Sequence, residues 1–369
     1  MTSDLEFFRG KRVLLTGHTG FKGSWLGRIL IRAGANVTGY GLRMPQGPGL
    51  FEILGLEKDM DCVYGDIRDL PHLQAVFQKK KPEIVLHLAA QPIVRESYEN
   101  PVYTYETNVM GTVHVLECMR RQDCVKSFLN VTTDKVYRNR EWEWGYREEE
   151  ELDGFDPYSN SKSCSELVTG CYRNSFFDGI RPAISTARAG NVIGGGDFAR
   201  DRILPDCIRA AAKGEDIAVR NPYSVRPYQH VLEPVTAYLM LAKAQYEDPT
   251  VAGSYNVGPK EADCLTTGEL VTRFCRYWNR SRQGRGEREI SWKNQYDGGP
   301  HEANFLKLDC SRLKARLGWE PVWDIDRALE KTAEWFAAYR DQEDMVKCTD
   351  SQIDAFLAVA KHCKAAHEC

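Results

Sequence analysis

The sequence predicts an α/β protein built on a doubly wound parallel sheet, with a smaller α/β lobe in its C-terminal part. Short aliphatic and β-branched runs alternate with helical patterns from the N-terminus to Gly190. A glycine-rich turn joins the first of these runs to the first helical pattern, and the regular alternation ends after Asn191. Strands that alternate with helices form parallel sheets with right-handed crossovers.

Each predicted strand is a short apolar run bounded by glycine or polar residues. The predicted strands of the first part are 12–16, 35–40, 62–66, 84–90, 127–132 and 185–189. Helical patterns lie between them, at 24–33, 73–80, 102–121 and 159–177.

The pattern changes after Asn191. A glycine loop at 194–197 precedes a helix at 204–213, and 255–258 is predicted to add one more strand to the sheet. The sequence therefore predicts that residues 1–190 and 225–258 form the sheet domain, that 191–224 and 259–345 form the smaller lobe, and that 346–369 form a tail. Ligands of open α/β sheets bind at the carboxyl ends of the strands, so the lobe is expected to close over those ends.

Composition excludes several classes of function. The 369 residues carry 49 basic and 52 acidic side chains, a net charge of −3 that gives no global attraction to nucleic acid or anionic lipid. No apolar run approaches the ~20 residues that span a bilayer, and Met1–Gly10 lacks the apolar core of a signal peptide. The sequence predicts a globular cytoplasmic protein without nucleic-acid or membrane partners.

Cysteine and histidine spacing gives no metal site. The 12 cysteines form no Cys-x-x-Cys pair and are expected to be reduced thiols. His362, Cys363, His367 and Cys369 cluster in the C-terminal tail, but their spacing matches no common zinc pattern.

The glycines Gly17, Gly20 and Gly23 lie where a dinucleotide-binding turn is expected, between the first strand and the first helix. Gly17 permits the tight turn, Gly20 lets the backbone approach a pyrophosphate, and Gly23 lets the helix pack on the strand. The helix N-terminus adds partial positive charge. A glycine turn without a ligand is the alternative.

Tyr158 and Lys162 are four residues apart, so they share one face of the predicted helix. Pro157 suits the first turn of a helix. An ammonium group beside a phenol is expected to lower the phenol's pKa and make it a usable base. Thr132, Thr133 and Asp134 end the preceding strand and supply hydroxyl groups and an acid. An exposed helix pair without function is the alternative.

These motifs resemble the extended short-chain dehydrogenase/reductase superfamily over nearly the whole chain. The glycine turn, Tyr158-x-x-x-Lys162 and Asn108-Val-x-Gly-Thr112 carry the resemblance. Longer stretches are similar to the nucleotide-sugar 4,6-dehydratases of its NAD-dependent epimerase/dehydratase family. They are 16–25, 139–142, 144–146, 189–197, 220–230 and 300–303.

The resemblance implies an NAD-dependent, redox-neutral removal of water from a nucleotide-linked glucose, with cytidine diphosphate as the nucleotide. In the implied reaction, Tyr158 removes the proton of the 4-hydroxyl group and Asp134 protonates the 6-hydroxyl group that leaves as water. The product would be a 4-keto-6-deoxy sugar, used for the deoxy sugars of surface polysaccharides such as O-antigen. A homodimer or dimer of dimers, paired through helices 102–121 and 159–177, is also implied.

The resemblance further implies three sets of site residues. The catalytic set is Thr133, Asp134, Lys135, Tyr158 and Lys162. The cofactor set is Gly17, His18, Gly20, Phe21, Lys22, Gly23, Tyr40, Asp66, Ile67, Leu88, Ala89, Ala90, Thr107, Tyr158 and Lys162. The substrate set is Gln91, Asn191, Arg202, Ile203, Arg226 and His301, among which arginine suits phosphate because its planar fork binds two oxygens.

Two departures from the family pattern lead to hypotheses. His18 occupies a position where relatives commonly have glycine, and its bulk is expected to weaken NAD retention. Lys135 stands where related dehydratases have the glutamate that takes the proton from carbon 5, so Lys135 in its neutral form is the predicted base there. The alternative is that Lys135 turns toward phosphate or solvent.

Other interpretations remain at this stage. Tyr40 ends the second strand where NAD-binding relatives carry an acid for the ribose, and Arg43 nearby keeps NADP open. A nucleotide-sugar 4-epimerase would share Tyr158 and Lys162 but would need no acid at Asp134. A 4,6-dehydratase for another nucleotide-hexose and a catalytically inactive NAD(P) sensor are the remaining alternatives.

Overall fold

The structure is a computed structural model. It describes residues 3–43, 47, 49–177, 182–296 and 304–367, with side chains for 4–361 within those ranges. Among the helices of these ranges, none combines the length and the apolar character that a bilayer crossing needs.

The strands form one large sheet and three small pairs. In chain order the strands are β1 (Arg12–Thr16), β2 (Asn36–Gly41), β3 (Asp61–Tyr64), β4 (Ile84–His87), β5 (Ser127–Thr133), β6 (Ala183–Ala189), β7 (Val192–Ile193), β8 (Ile217–Val219), β9 (Val225–Pro227), β10 (Gln229–His230), β11 (Ser254–Val257), β12 (Cys264–Thr266) and β13 (Trp292–Asn294). The large sheet has seven strands in the order β11-β6-β5-β4-β1-β2-β3, all parallel. The predicted doubly wound parallel sheet is confirmed.

The helices cover both faces and the carboxyl edge of this sheet. In chain order they are α1 (Ser3–Glu6), α2 (Phe21–Arg32), α3 (Leu50–Ile53), α4 (Leu70–Lys80), α5 (Val94–Glu99), α6 (Pro101–Tyr105), α7 (Gly111–Arg120), α8 (Pro157–Phe176), α9 (Ile203–Lys213), α10 (Leu232–Glu247), α11 (Thr267–Ser281), α12 (Ser311–Leu317), α13 (Ile325–Arg340) and α14 (Met345–His367). One hydrophobic cluster includes side chains of β1, α2 and α10, and a second includes side chains of α4 and α7.

Two predicted elements differ from the structure. The strand predicted at 84–90 ends at His87, because the backbone N–H groups of Leu88 and Ala89 donate to the Thr16 hydroxyl group (3.1 Å each). The helix predicted at 102–121 is divided by a π-helical turn at Glu106–Met110. Such turns occur frequently at functional sites, and this one places Asn108 where it binds the chain after β4.

The second half of the chain returns to the large sheet only in part. β11 pairs with β6 as predicted, and α10 packs against β5 and β6. β9, which was also predicted to return, pairs with β12 outside the large sheet. The other small pairs are β7 with β10 and β8 with β13.

The segment predicted as a tail is helical in its described part and packs on α2 and α13. Asp350 of α14 accepts two hydrogen bonds from Arg28 of α2 (2.8 and 2.6 Å). The Trp335 indole of α13 donates to Thr349 (3.0 Å), which is wholly buried. These contacts fix α14 against both α2 and α13.

The two helical glycines of α2 give a matched test of the packing between β1 and α2. A Cβ atom on Gly23 would lie 2.2 Å from the Gly17 carbonyl oxygen, whereas one on Gly27 would meet only ordinary contacts from 3.7 Å. Gly23→Ala should lower the free energy of unfolding by roughly 1–3 kcal/mol. Gly27→Ala should leave it unchanged or raise it by up to about 1 kcal/mol through helix propensity. Equal effects of the two variants in urea unfolding would contradict this packing.

Candidate active site

The glycine turn after β1 forms a narrow cradle at the carboxyl edge of the sheet. Gly17 has a φ of +71°, and a Cβ atom there would lie 2.7 Å from the Ala89 backbone nitrogen. Gly20 caps the N-terminus of α2 without a side chain. The first N–H groups of a helix have no carbonyl partner within the helix, so the start of α2 faces this cradle with unpaired donors and partial positive charge.

The His18 side chain points away from the turn and is completely buried. Its ring fills the space above Gly39 of β2, where a Cβ atom would lie 2.4 Å from the imidazole, and it makes an edge contact with Phe51. Burial lowers the pKa of His18 to about 4, so the ring is neutral. The bulk of the ring is therefore accommodated against Gly39 of β2, and the expected weakening of NAD retention stays a prediction.

The end of β2 gives the cofactor cleft a neutral lining. Tyr40 is wholly buried, and its hydroxyl group donates to the Asp66 carbonyl (2.9 Å), so its side chain is committed to the core. The Asp66 carboxylate pairs with Arg68 (2.8 Å), which lowers the pKa of Asp66. Arg43 lies over the Tyr64 ring and is paired with Glu57.

Hydrogen bonds join the chain after β4 to the π-helical turn. Asn108 accepts from the Gln91 backbone N–H (2.8 Å) and donates to the Gln91 carbonyl (3.0 Å) and to Ser161 (2.9 Å). The side chain of Gln91 donates to Thr104 and accepts from the backbone of Ile93. These bonds engage both ends of its amide, so Gln91 supports the loop, and its predicted contact with substrate stays a prediction. Thr107, which precedes Asn108, is buried, and its hydroxyl group has no partner among the described residues.

Thr133, Asp134 and Tyr158 meet where β5 ends and α8 begins. The Thr133 hydroxyl group donates to Asp134 (3.0 Å) and lies within hydrogen-bonding reach of the Tyr158 phenol. Asp134 is buried, and its second carboxyl oxygen has no partner among the described residues. Burial raises the pKa of Asp134, against the opposing charges of Lys135, Arg226 and Lys22. A carboxyl group in this setting retains a proton more readily than one in water.

Tyr158 and Lys162 project from one face of α8, as the four-residue spacing predicts, but they do not act on each other as expected. Burial raises the pKa of Tyr158 to about 12, while Thr133 and the charge of Arg202 lower it. The Lys162 ammonium group donates to the Val131 carbonyl (3.1 Å), and burial lowers its pKa to about 8. The pKa of Tyr158 is therefore raised, and not lowered as the sequence predicted, because burial outweighs the nearby charges.

Several cationic side chains lie around Asp134 and Tyr158. The site also contains a second acid, Asp197, which the sequence did not predict. Lys22, at the start of α2, has its pKa lowered to about 8 by burial and by the charges of Arg202 and Lys162. Arg202 donates to the buried carboxylate of Asp197 (3.1 Å) in the glycine loop after β7. Lys22 thus belongs to the electrostatic environment of Asp134 and Lys162 as well as to the glycine turn. The Gly-rich loop was the available signal for Asp197.

The remaining predicted site residues are placed as follows. Arg226 is buried on β9, and its charge lowers the Asp134 pKa. Ile203 starts α9, and Asn191 precedes β7, its carbonyl accepting from the Gln229 backbone (3.0 Å). Lys135 is half-buried after Asp134. Phe21 lies near Gly194, and Ile67 packs against Gly111.

His301 and the block 300–303 lie outside the described residues, as do the side chains of the C-terminal Cys/His cluster. Among the described side chains, no group of three or more His, Cys, Asp or Glu is placed to hold a metal ion.

Solved structures of nucleotide-sugar enzymes share this fold. The UDP-glucose 4-epimerase of Thermotoga maritima matches with a TM-score of 0.75 at 22% identity, covering 89% of this chain and 99% of that chain. The dTDP-glucose 4,6-dehydratase of Bacillus anthracis str. Ames, in complex with NAD, matches with a TM-score of 0.74 at 19% identity, covering 91% and 100%. Together with the glycine turn and the Tyr158–Lys162 pair, this fold defines the Rossmann-type class of the extended short-chain dehydrogenases/reductases.

The chain belongs to the GDP-mannose 4,6 dehydratase family, whose model matches residues 14–332. The CDP-glucose 4,6-dehydratase of Salmonella typhimurium is 46% identical over 361 residues, which are 96% of this chain and 98% of that protein. The dTDP-glucose 4,6-dehydratase of Xanthomonas campestris pv. campestris is 28% identical over 338 residues, 88% of this chain and 92% of that protein. The resemblance to nucleotide-sugar 4,6-dehydratases is confirmed.

The close contact between His18 and Gly39 gives a test of how the glycine turn packs against β2. Gly39→Ala should lower the free energy of unfolding by roughly 1–3 kcal/mol, because the new methyl group meets the imidazole. His18→Gly combined with Gly39→Ala should recover most of that loss by removing the ring. Urea unfolding of both variants and of His18→Gly alone measures the coupling. Additive effects, with no recovery in the double variant, would contradict the contact.

Proposed function

We propose that the chain is an NAD-dependent dehydratase that converts CDP-glucose to CDP-4-keto-6-deoxyglucose and water. The observation that carries the proposal is the buried Asp134 next to Tyr158: its pKa is raised, and one of its carboxyl oxygens has no partner in the part of the chain that the structure describes. An enzyme that only oxidises or epimerises carbon 4 needs no second acid there, whereas loss of water from carbon 6 does. The 46% identity to the Salmonella CDP-glucose 4,6-dehydratase supports cytidine as the base.

The cradle around Gly17 fits NAD. Its glycines allow close approach of the backbone, the start of α2 supplies N–H donors for a pyrophosphate, and the buried Thr107 hydroxyl group lacks a partner within the described residues. The chemistry that NAD would supply there is the transient storage of a hydride between carbon 4 and carbon 6 of the sugar. Ala89 and Ala90 would line its cleft, Asp66 and Ile67 would flank the adenine, and Lys162 would hold the nicotinamide ribose. Tyr40 is buried and uncharged, so it offers no charge that selects NADP, and Arg43 forms an exposed ion pair with Glu57 (3.7 Å).

Tyr158 is the base that takes the proton of the 4-hydroxyl group, and Thr133 orients that hydroxyl. Burial raises the pKa of Tyr158 to about 12, and the charge of Arg202 acts in the opposite direction. A further cationic group near the phenol would lower this pKa. Asp134, whose pKa is raised by burial, is the acid that gives its proton to the departing 6-hydroxyl group. The two groups therefore act on adjacent parts of one sugar.

Arg202 and Arg226 bind the diphosphate, together with Asn191 and the start of α9 at Ile203. Both guanidinium groups already act on the catalytic residues, Arg202 on Tyr158 and Arg226 on Asp134. Their planar donors match phosphate oxygens, so the nucleotide is held where its sugar faces both residues. His301 is assigned to the same substrate set.

The proposal extends to the domains, the assembly and the location of the enzyme. The chain divides into a sheet domain that binds NAD, a smaller lobe that binds the nucleotide, and the α14 segment. Two copies pair through the surface formed by α6, α7 and α8, where Val102, Met110 and Leu167 are exposed apolar side chains. The enzyme acts in the cytoplasm in the synthesis of deoxy sugars for surface polysaccharide such as O-antigen.

The substrate is tested with purified protein and NAD by supplying CDP-, dTDP-, UDP- and GDP-glucose in parallel. The 4-keto product is followed by its absorbance in base. The proposal predicts 4-keto product from CDP-glucose and at least tenfold less from the other three. A preference for another nucleotide would contradict the cytidine assignment, and formation of CDP-galactose without a 4-keto product would contradict the dehydratase.

Tyr158→Phe should reduce turnover by ~10²–10⁴-fold, because it removes the base for the first proton. Binding of CDP should change little, since the phenol does not contact the diphosphate in this proposal. Tyr172→Phe on the same helix is the control, because its hydroxyl group only donates to Glu117 (2.9 Å). A Tyr158→Phe variant that kept a tenth of the wild-type turnover would exclude this tyrosine as the main base.

Lys135→Met tests the base at carbon 5. The variant should still oxidise carbon 4, seen as NADH absorbance, but stall before loss of water. Deuterium uptake from solvent at carbon 5 and release of water are the measurements, with the exposed Lys126→Met as control. Near-normal rates of both in Lys135→Met would show that another group takes the proton.

A further inference from the structure

The turn at residues 139–141, a few residues after the catalytic Asp134, has a strained backbone. Glu141 has a φ of +52°, in the left-handed region that residues with a side chain seldom occupy. Its backbone N–H donates to the Asn139 side chain (2.9 Å), and the backbone N–H of Arg140 donates to the Tyr146 hydroxyl group (2.6 Å). Strain of this kind persists where surrounding contacts require it, and it occurs often at functional sites.

Two side chains of this turn bind the backbone of a distant segment, Asn304 and Phe305. The Glu141 carboxylate accepts from the backbone N–H of Asn304 (3.0 Å to each oxygen) and from that of Phe305 (2.9 Å). The Asn139 amide donates to the Phe305 carbonyl (3.1 Å). Both backbone groups of Phe305 are therefore held by side chains of the turn, and the strained position of Glu141 is the one from which its carboxylate makes these bonds.

The same segment pairs with β9, the strand that carries Arg226. The Val225 backbone N–H donates to the Asn304 carbonyl (2.8 Å), and Val225 forms a parallel bridge with Phe305. The Val225 carbonyl accepts from the guanidinium group of Arg226 (2.9 Å), whose side chain is buried. Asn304 and Phe305 therefore lie between Glu141 and the strand residue on which the Arg226 guanidinium group is held.

β9 also lies beside the acid of the site. A Cβ atom on Gly190 would lie 2.7 Å from the Pro227 ring of β9 and 3.1 Å from the Asp134 carboxyl oxygen that has no partner within the described residues. Leu306, next after the bound segment, belongs to the same small hydrophobic cluster as Val136, two residues after Asp134. A displacement of 304–306 would therefore move β9 relative to Asp134.

We propose that Glu141, together with Asn139, is a positioning residue for substrate binding: it holds 304–305 against β9 and thereby keeps Arg226 in place for the nucleotide diphosphate beside Asp134. The inference rests on the proposed function, because that function assigns the diphosphate to Arg226. It gives the strained turn a task that the mechanism otherwise does not use.

The test separates the carboxylate from the backbone strain. Glu141→Ala removes the carboxylate and keeps the strain, whereas Glu141→Gly removes the carboxylate and suits the left-handed backbone. Both variants should raise the KM for CDP-glucose and the Kd for CDP about tenfold or more, the loss expected when one hydrogen bond to a charged group is weakened. The kcat should stay within about threefold of wild type, since binding is lost from the ground state and the transition state alike.

Three further variants test the route and the specificity of the effect. Glu141→Gln keeps an acceptor oxygen at the same reach, so KM and Kd should return to within about threefold of wild type. Glu143→Ala, an exposed glutamate two residues later, is the matched control and should change neither value. Glu141→Gly added to Arg226→Met should raise the Kd for CDP no further than Arg226→Met alone, because the two residues act in series. Urea unfolding confirms which variants are folded.

The outcomes are distinct. Raised KM and Kd in folded Glu141→Gly, with recovery in Glu141→Gln and no further loss in the double variant, support the positioning role. Unchanged values in folded Glu141→Gly, no recovery with glutamine, or multiplied effects in the double variant overturn it. Failure of both the alanine and the glycine variant to fold also overturns it, since the turn would then be purely structural. Wild-type protein that binds CDP but releases no 4-keto sugar would contradict the proposed function, while the Kd values for CDP would still decide the role of Glu141.

Discussion

The seating of α8 on the carboxyl half of β5 is the constraint on which the active site depends. Asn130 donates to Ser165 and Thr169 (2.9 Å each), Lys162 donates to Val131, and Ser163 donates to the Val136 carbonyl (2.7 Å). These bonds run along the strand and through the catalytic turn that follows it. Because Thr133 and Asp134 belong to the strand end and Tyr158 to the helix start, their distances are set by this contact. A small rotation of α8 would separate Tyr158 from Asp134.

The second property of the site is its balance of charge in a buried volume. Lys22, Lys162, Arg202 and Arg226 stand against the acids Asp134 and Asp197, and burial shifts the pKa of both lysines downward and that of Asp134 upward. Cations in excess inside a low-dielectric cleft favour anionic ligands. A nucleotide diphosphate and the pyrophosphate of NAD supply such charge. Some of these cations also lower pKa values in the site: Lys22 and Arg226 lower that of Asp134, and Arg202 lowers that of Tyr158. A bound anion and these two side chains therefore share one electrostatic environment.

Much of this could be predicted from the sequence, because it depends on local patterns. The strands, the glycine turn at Gly17 and the pairing of Tyr158 with Lys162 on one helix face follow from short-range periodicity. What could not be predicted depends on contacts between distant residues. The space for His18 is provided by Gly39 on the next strand, and the backbone N–H of Gln91 is bound by Asn108 of the π-helical turn. The direction of the Tyr158 pKa was also missed, because burial, which no motif reports, outweighs the nearby charges.

The central claim is that one sugar is oxidised at carbon 4 and reduced at carbon 6 within a single site. The most direct measurement follows the hydrogen itself, by supplying CDP-glucose deuterated at carbon 4 with unlabelled NAD. The account predicts deuterium in the 6-methyl group of the 4-keto product and no net NADH. Deuterium that remained at carbon 4 of a product sugar, or that accumulated in released NADH, would contradict it.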